Sequence, residues 1–412
     1  MFTFLVSTYN RPFMLKKCLH SIKAQKYKNF EAIILDDCST MDNWAVVKEF
    51  IQDNRFKYIR FEKNHGQAGH LINFMVNNDL VKYDYIIDLA DDDTISDNFL
   101  LKCFKMCKYK PDVVAVDACY SFGNIIVEQC ATNLKKSKIL LKLKTKDIIS
   151  LNRSIKSIFN KHFFIKNHPF KIHNDEMCEI QWDKYYKFAS FAYAKGAKYI
   201  FSCHAGNRRK YTKIDNWINS MALVSYKNAD VDGKIDMDVF SQSFKRAFND
   251  ESIFIRLYEK LDADTIVLDI LKQKEDLLAS INKTAKKYAD KYQAEFDKKY
   301  LALNAKLYTY EERNEIIDSS KSFMVYCNTP WGKQIKKQLK QKGLKFLGYI
   351  DDGSANKLKN TITCDEFFSS NLKPDFVFIA TGRPKLMSDL IDKLSTGYSG
   401  KILTLHERDD GA

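Results

Sequence analysis

Short apolar runs that end in polar residues recur along the first part of the chain. Residues 2–6, 30–35, 58–61 and 85–90 are such runs, and apolar residues at helical spacing lie between them, for example at about 44–52. Runs of this length predict buried strands, and apolar residues at intervals of three and four predict helices. This alternation predicts an α/β fold in which a mostly parallel sheet carries helices on both faces.

The residues that follow these strands are rich in hydroxyls and carboxylates. Thr8 and Tyr9 follow the first strand, Asp36 and Asp37 follow the second, and an acidic cluster at 91–93 follows the fourth. The carboxyl ends of parallel strands meet at one edge of a sheet, which is where α/β proteins bind ligands. We therefore expect these groups to converge on one rim.

The acidic cluster consists of Asp91, Asp92 and Asp93. Neighbouring carboxylates raise one another's pKa, so the cluster requires a metal ion, a basic neighbour or open water. One or two carboxylates together with substrate phosphates are the usual ligands of Mg²⁺ or Mn²⁺. The alternative is a solvated turn that caps the next helix, with Ser96 or Asp97 as its N-cap residue.

The composition describes a folded chain with excess positive charge. A length of 412 residues allows two or three domains, and 45% hydrophobic with 13% aromatic residues argues against global disorder. The net charge of +14 predicts an anionic partner, such as a phosphorylated substrate or an acidic membrane face. Because the lysines are spread along the chain without a recognition helix or zinc-finger spacing, we do not expect a nucleic acid partner.

Two further features concern location. No stretch reaches about 18 uncharged apolar residues, and no basic leader with a cleavage site precedes the first strand, so we expect neither a membrane span nor a signal peptide. The ten cysteines are scattered singly, as reduced cytosolic thiols are. The sequence predicts a cytoplasmic protein that could associate peripherally with the inner face of the plasma membrane.

The patterns divide the chain into three regions. We expect a first domain at 1–225, a helical linker region at 226–320 and a small C-terminal α/β domain at 321–412. Neither glycine nor proline occurs between Gly233 and Pro330, and lysine and glutamate alternate densely from Lys272 to Glu315. This pattern predicts helices that act as a spacer, a membrane-facing element or a surface for homo-oligomerisation.

The C-terminal region resembles the Rossmann-like modules that are appended to sugar-processing enzymes. Its predicted elements are a strand at 322–326, a helix at 331–342 and strands at 344–350 and 375–380. Dinucleotide binding requires glycines in the first tight turn, but Cys327 and Thr329 stand there, and Trp331 would obstruct a pyrophosphate. We therefore expect a degenerate structural or interaction module.

Four blocks in the first domain occur in an order that resembles a known family. They are residues 6–12 (VSTYNRP), residues 32–40 (AIILDDCST), residues 64–66 (NHG) with Asn73, and the acidic cluster. Together they resemble the signature of inverting family 2 glycosyltransferases with the GT-A fold. The resemblance implies a metal-dependent transfer, with Mn²⁺ or Mg²⁺, of a sugar from a UDP-linked donor. The implied acceptor is a hydroxyl of a bacterial surface glycan of capsule or lipooligosaccharide type, free or lipid-linked.

The resemblance also implies individual roles at the donor site. Thr8 and Tyr9 would line the base, Asp37 would accept a hydrogen bond from the uracil, and Asp36 would support that turn. The whole implied donor-binding set is Thr8, Tyr9, Asn10, Arg11, Asp36, Asp37, Asn64, Gly66, Asp91, Asp92, His204, Arg208 and Arg209.

The acidic cluster would divide its roles between ribose and metal. Asp91 would contact the ribose side, and Asp92 or Asp93 would bind the metal on the diphosphate, with His204 as a further ligand. Arg208 and Arg209 would pair with phosphate oxygens. Ala90 stands where the family often has the first aspartate of its motif, which leaves the roles within the cluster open.

The attacking hydroxyl requires a base within about 3 Å of its proton. Family members carry a Glu-Asp-Trp element at the start of a helix, but here Ile180 and Gln181 precede Trp182. The candidate bases are Asp175, Glu176, Glu179 and Asp183, and we favour Glu179 and Asp183, whose spacing of four places both on one helical face. The alternative is an exposed acidic helix start that the helix macrodipole favours.

Two other functions remain open from the sequence. A nucleotidyltransferase acting on sugar phosphates also places acids at a sheet edge, although it would lack the base-binding turn at 36–39. A non-catalytic scaffold in glycan assembly would use the helical region and the C-terminal module to bind partners. Pyrophosphate release would support the first, and failure to bind any nucleotide would support the second.

Overall fold

The structure is a computed structural model that describes residues 1–66, 68–128, 138–140, 157–167, 170–173, 176–180, 189–204, 213–231, 234–251, 260–353 and 358–408. The chain forms two compact units. The first comprises Met1–Tyr120 with Glu128–Ser202, and the second comprises Ser121–Val127 with Cys203–Ala412.

The first unit contains the predicted alternation of strands and helices. Its strands are β1 Phe2–Thr8, β2 Phe30–Asp36, β3 Phe56–Arg60, β4 Tyr85–Asp88, β5 Thr94–Ile95, β6 Val113–Phe122, β7 Ile125–Glu128, β8 Lys138–Leu140, β9 Ser157–Asn160, β10 Phe170–His173, β11 Glu176–Ile180 and β12 Phe191–Ser202, of which β6 and β7 run into the second unit. Its helices are α1 Pro12–Lys23, α2 Trp44–Val47, α3 Ala68–Asn77, α4 Phe99–Cys107 and α5 Lys161–Asn167.

The main sheet begins with four parallel strands and then includes antiparallel pairs. Its order is β3-β2-β1-β4-β9-β6-β12-β5, with β1 to β4 in parallel and the pairs of β9 with β4 and β6 antiparallel. Alternate residues of β1 face opposite sides, since Phe4 belongs to the apolar cluster with α1 and α4 whereas Leu5 belongs to the cluster with α3. The predicted α/β fold with helices on both faces is therefore confirmed.

Several local expectations were wrong. The helix expected at 44–52 is the short α2, which ends at Val47 and continues as turns. Helix α4 is capped by Asn98 without a side-chain hydrogen bond, so neither Ser96 nor Asp97 is the N-cap residue.

The helix expected around Glu179 is also absent from the described part of that segment. Glu179 lies in β11, which pairs with β10 in an antiparallel hairpin in which Glu179 is opposite Lys171. Cross-strand hydrogen bonds to β10 satisfy the backbone of β11. The spacing of the acidic residues along the chain gave no sign of this pairing. The argument that Glu179 and Asp183 share a helical face therefore fails, and Asp183 lies outside the described residues.

The second unit begins with helices and ends with a small sheet. Its helices are α6 Ile214–Ala229, α7 Met237–Glu251, α8 Ala263–Leu271, α9 Leu277–Asn304, α10 Tyr310–Ile316, α11 Pro330–Gln341, α12 Cys364–Ser369 and α13 Pro384–Ser395. Its strands are β13 Asp230–Val231, β14 Lys234–Ile235, β15 Ser322–Tyr326, β16 Lys345–Ile350, β17 Thr361–Ile362, β18 Phe376–Ile379 and β19 Lys401–Thr404. One apolar cluster runs from Ile214 in α6 to Leu394 in α13, so the helical region shares its core with the C-terminal sheet.

The C-terminal sheet is wholly parallel, in the order β17-β16-β15-β18-β19. The order reverses between β15 and β18, which is where a doubly wound sheet opens a crevice for ligands. The indole of Trp331 packs against Gly382 at these strand ends, and a Cβ added to Gly382 would lie 3.0 Å from the ring. The aromatic side chain thus stands at the position where the sequence predicted an obstruction.

Candidate active site

The carboxyl ends of β1, β2 and β4 meet at one rim of the main sheet. Thr8 is in register with Asp36 of β2, and Leu5 is in register with Asp88 of β4. The amide of Asp37 donates to the carbonyl of Thr8 at 3.0 Å, so the polar segments after the strands remain adjacent. The predicted convergence of these strand ends is confirmed.

Asp91 is a buried carboxylate at the centre of this rim. The Thr8 hydroxyl donates to its Oδ2 at 2.7 Å, and Arg11 Nη1 donates to its Oδ1 at 3.2 Å. Only 4% of the residue is exposed. Burial raises the pKa of Asp91, although the hydrogen bond from Thr8 and the charge of Arg11 lower it in part.

Arg11 joins two members of the acidic cluster. Its Nη1 lies 3.2 Å from Asp91 Oδ1 and 3.0 Å from Asp92 Oδ2. Two carboxylates from consecutive residues therefore face one positively charged nitrogen. This arrangement supplies the basic neighbour that the sequence required for the cluster.

Asp93 has different surroundings from the other two aspartates. The buried Tyr199 hydroxyl donates to its Oδ2 at 2.8 Å, and the Ser202 amide donates to its Oδ1 at 2.8 Å. The Tyr199 oxygen also accepts from the amide of Ala90 at 3.3 Å. Asp93 thus ties the acidic cluster to the end of β12.

Asp36 is the acceptor of a buried hydrogen-bond network. Its Oδ1 accepts from the Ser39 amide at 2.8 Å, and its Oδ2 accepts from the Tyr58 hydroxyl at 2.6 Å and from Asn43 Nδ2 at 3.2 Å. Asn43 also donates to Ser39 Oγ at 2.8 Å. Asp36 therefore fixes the turn at 36–39, and its expected role at a base site stays a prediction.

Asp37 holds the next loop of the rim. Its Oδ1 accepts from the His65 amide at 2.8 Å and lies 3.0 Å from His65 Nδ1, while its Oδ2 accepts from the Gly66 amide at 3.0 Å. Asn64 Nδ2 donates to the Asp37 carbonyl at 3.2 Å. Gly66 has a φ of 72°, a conformation that glycine adopts without strain.

Asn10 connects the loop after β1 to the loop after β2. Its backbone is left-handed, with a φ of 54°, and its Oδ1 accepts from the amides of Thr40 at 2.8 Å and Met41 at 2.9 Å. Tyr9 beside it is 43% exposed, so its ring is accessible to a ligand and does not pack in the core.

The residues of the cluster can be tested for their fit to a divalent cation. The atom Arg11 Nη1 shows that a positive charge can lie between Asp91 and Asp92, and their oxygens are the hard ligands that Mg²⁺ and Mn²⁺ prefer. Both oxygens of Asp93 accept hydrogen bonds from the protein. Among the described residues, no three His, Cys, Asp or Glu side chains converge on one metal position, so ligands from the substrate would have to complete the coordination.

Several expected site residues are not placed at this rim by the structure. Asp175, Asp183, Arg208 and Arg209 lie outside the described residues, and His204 belongs to the second unit. Their expected roles, like that of Glu179, stay predictions.

The sequence reasoning also missed residues that the structure brings to the rim. Tyr199, Asn43 and Tyr58 support the aspartates, and His65 contacts Asp37. Of these residues, only His65 could have been expected from the sequence, because it lies within the block 64–66.

Comparison with known proteins assigns the first part of the chain. The family described as Glycosyl transferase family 2 matches residues 3–213. This match covers more than half of the chain, and the chain belongs to that family. The family and the position of the strand-end rim agree with the resemblance found in the sequence.

Two curated relatives cover only part of the chain. Glycosyltransferase GlyA of Streptococcus pneumoniae serotype 4 is 34% identical over 132 residues, which cover 29% of this chain and 17% of GlyA. Poly-beta-1,6-N-acetyl-D-glucosamine synthase of Staphylococcus epidermidis is 28% identical over 157 residues, covering 37% of this chain and 34% of the synthase. The chain spans well under half the length of these relatives.

One solved structure supports the fold. The structure of S. aureus TarS 1-349 in complex with UDP-GlcNAc has a TM-score of 0.51 and 18% identity, and the match covers 73% of this chain and 91% of that chain. The GT-A fold expected from the sequence is confirmed.

In the part of the chain that the structure describes, no helix has the length and hydrophobicity needed to cross a bilayer.

Proposed function

We propose that this chain is an inverting glycosyltransferase that transfers a sugar from a UDP-linked donor to a hydroxyl of a bacterial surface glycan. Family membership supports glycosyl transfer over nucleotidyl transfer and over a scaffold without catalytic activity. TarS in complex with UDP-GlcNAc and the poly-N-acetylglucosamine synthase make UDP-GlcNAc the first donor to test. The glycan acceptor is proposed from the synthase, whose name describes a polysaccharide product.

The observation that carries this proposal is the pairing of Asp91 and Asp92 around Arg11 Nη1, beside Thr8 and the exposed ring of Tyr9. The exposed ring would stack on the uracil base, and the loops held by Asp36 and Asp37 would form the walls of the base site. Asp37 would contact the uracil once the donor reorganises its bonds to residues 65–66. Arg11 would lie where the diphosphate approaches the acidic cluster.

The proposed enzyme uses Mg²⁺ or Mn²⁺. Asp91 and Asp92 would hold the ion, and the geometry favours them over Asp93, whose oxygens accept from Tyr199 and Ser202. The ion would neutralise the charge that develops on the leaving diphosphate. Arg11 would give up its contacts with the two carboxylates and turn towards the phosphates, to which guanidinium groups bind in bidentate fashion.

Donor binding is the direct test of this function. With UDP-GlcNAc and Mn²⁺ at about 100 times the dissociation constant, we expect the folded state to gain about 2.7 kcal/mol, because only the folded state binds. Thermal unfolding of the full chain with UDP-GlcNAc, ADP-glucose and no nucleotide, each with Mn²⁺, measures this gain. A stabilisation by ADP-glucose equal to that by UDP-GlcNAc would contradict the uridine site, and no shift with any nucleotide would contradict the function.

The base that deprotonates the acceptor is proposed among Asp175, Glu179 and Asp183. A base acts on transfer but not on donor binding, so one of the variants Asp175→Asn, Glu179→Gln or Asp183→Asn should lose about 10²-fold or more in transfer. Its UDP dissociation constant should stay within about twofold of the wild-type value, which isothermal titration calorimetry measures. If all three variants keep wild-type transfer rates, the base lies elsewhere.

A further inference from the structure

A basic cleft lies beside the C-terminal sheet of the second unit. It encloses about 610 Å³, a volume within the usual range of ligand sites, and no residue that lines it is acidic. Five of its residues are lysines: Lys333, Lys336, Lys337, Lys340 and Lys359. All of its residues belong to the second unit, whereas the strand-end rim belongs to the first.

Four of these lysines form a row along α11. They occupy positions i, i+3, i+4 and i+7, which lie on one side of a helix. At 1.5 Å per residue the row extends for about 10 Å. Lys359 belongs to the chain between β16 and β17 and completes the lining. Like charges at such spacing destabilise a helix, so an anionic ligand would remove a repulsion already present.

The lysines of the cleft are not neutralised by the described residues. Elsewhere in this unit lysines have carboxylate partners, such as Lys393 with Asp352 at 2.9 Å and Lys283 with Glu275 at 2.7 Å. Within the described ranges, none of the five cleft lysines forms such a pair, and the ammonium of Lys336 lies 4.6 Å from the ring centre of Phe346. Residues 354–357 next to Lys359 contain no acid in the sequence.

One uncharged polar residue of the cleft is held in a fixed conformation. Asn328 lines the cleft, and its Oδ1 is buried without a hydrogen-bond partner among the described residues. Its amide donates to Asp351 at 2.8 Å and its Nδ2 donates to Thr361 at 2.8 Å, so the side chain is fixed. The lysines therefore supply the polar contacts that a ligand in the cleft can reach.

We infer that the basic cleft binds an anionic glycan, a carbohydrate chain with repeated phosphate or carboxylate groups. This inference rests on the proposed function, because such a chain would be the acceptor that the second unit holds while the first unit adds sugars. A row of about 10 Å exceeds what one phosphate group needs, which favours a chain over a monomer. The aromatic side chain of the cleft, Tyr349, is only 4% exposed and cannot stack on bases, which disfavours single-stranded nucleic acid.

The test compares two variants of the full chain with equal charge. The cleft variant is Lys333→Gln/Lys337→Gln/Lys340→Gln. The control variant, Lys286→Gln/Lys291→Gln/Lys298→Gln, removes three exposed lysines from α9. Fluorescent dextran sulfate and neutral dextran of the same length are the probes, and anisotropy measures their dissociation constants at 50 and 200 mM salt.

We expect dextran sulfate to bind the wild type and the control variant within about threefold of each other, and the cleft variant at least about tenfold more weakly. Salt should weaken binding to the wild type more steeply than to the cleft variant, because fewer counterions are released without the three lysines. Neutral dextran should not bind measurably.

Equal losses in the two variants would overturn the inference, because binding would then reflect net charge alone. Tighter binding of a single-stranded oligonucleotide or of anionic phospholipid vesicles through the same three lysines would also overturn it. The stabilisation by UDP-GlcNAc should be the same in all three proteins. If that stabilisation is absent while dextran sulfate still distinguishes the variants, the proposed transfer fails and the cleft remains a glycan site.

Discussion

Changing Asp91 and Asp92 to asparagine is expected to lower sugar transfer by about 10³-fold or more. Removing one group that stabilises transition-state charge typically costs about 10² to 10³ in rate, and these two carboxylates face the same charged position. Transfer is measured as UDP release from UDP-GlcNAc in the presence of Mn²⁺. The single variants Asp91→Asn and Asp92→Asn should each show a large part of this loss.

The pH dependence of thermal stability tests whether the charge of Asp91 is buried at a cost in the folded state. Burial raises the pKa of Asp91, so its charged form is less favourable in the folded state than in the unfolded chain. The contribution of Asp91 to the stability of the folded state therefore becomes more unfavourable as the pH rises from the ordinary carboxylate pKa through the raised value. Asp91→Asn removes this charge. The melting temperature of the variant minus that of the wild type should therefore be more positive at pH 7 than at pH 4.

Asp93→Asn tests the role of the third aspartate in the acidic cluster. Both oxygens of Asp93 accept hydrogen bonds from the end of β12, so the amide would confront the Tyr199 hydroxyl or the Ser202 amide with a mismatched donor. We expect it to lower the melting temperature at pH 7, because one of these two hydrogen bonds is lost. Wild-type transfer rates in the Asp91→Asn/Asp92→Asn variant would contradict the catalytic role of the rim.

Replacing Arg313 by alanine is expected to destabilise the second unit by about 3 kcal/mol or more. Arg313 is 2% exposed, and its guanidinium donates to the carbonyls of Phe122 at 3.2 Å, Thr404 at 3.3 Å and Leu405 at 3.0 Å. Each buried carbonyl left without a donor costs about 1 to 3 kcal/mol. For a unit of this size the melting temperature should fall by roughly 6–12 °C, which calorimetry can measure.

Two variants control for charge and size. Lys298→Ala removes one positive charge from the exposed surface of α9 and should change the melting temperature by no more than about 2 °C. Arg313→Lys should give an intermediate loss, because an ammonium reaches fewer carbonyls than the planar guanidinium. A loss in Arg313→Ala as small as that in Lys298→Ala would show that the carbonyls find other donors.

The sequence predicted the half of the fold that local patterns determine. Strands β1, β2 and β4 are apolar runs, and their polar ends become neighbours because parallel strands place their carboxyl ends on one edge. Asp36 and Asp91 could be expected at this rim from their place after a strand alone. The same reasoning identified the C-terminal sheet, where β15 and β18 are short buried runs.

Contacts between distant segments were not predictable in this way. Tyr199 reaches Asp93 across 106 positions, and only the antiparallel pairing of β12 with β5 brings the two together. The spacing of Glu179 and Asp183 suggested a helix, but the pairing of β10 with β11 decided the conformation of Glu179. A fully buried tyrosine looks in sequence like any core residue, so its role in positioning a carboxylate has no local signal.

The turn between β6 and β7 limits how this protein can be dissected genetically. Residues Ser121–Val127 belong to the second unit, where Gln338 Nε2 donates to the Ile126 carbonyl at 2.6 Å and Tyr310 donates to Asn124 at 2.8 Å. A gene fragment that starts at Cys203 would encode neither these acceptors nor the Phe122 carbonyl. Exchanging one of the two units between homologous enzymes therefore requires three crossover points. One lies before this turn, one lies after it, and the third lies near residue 203.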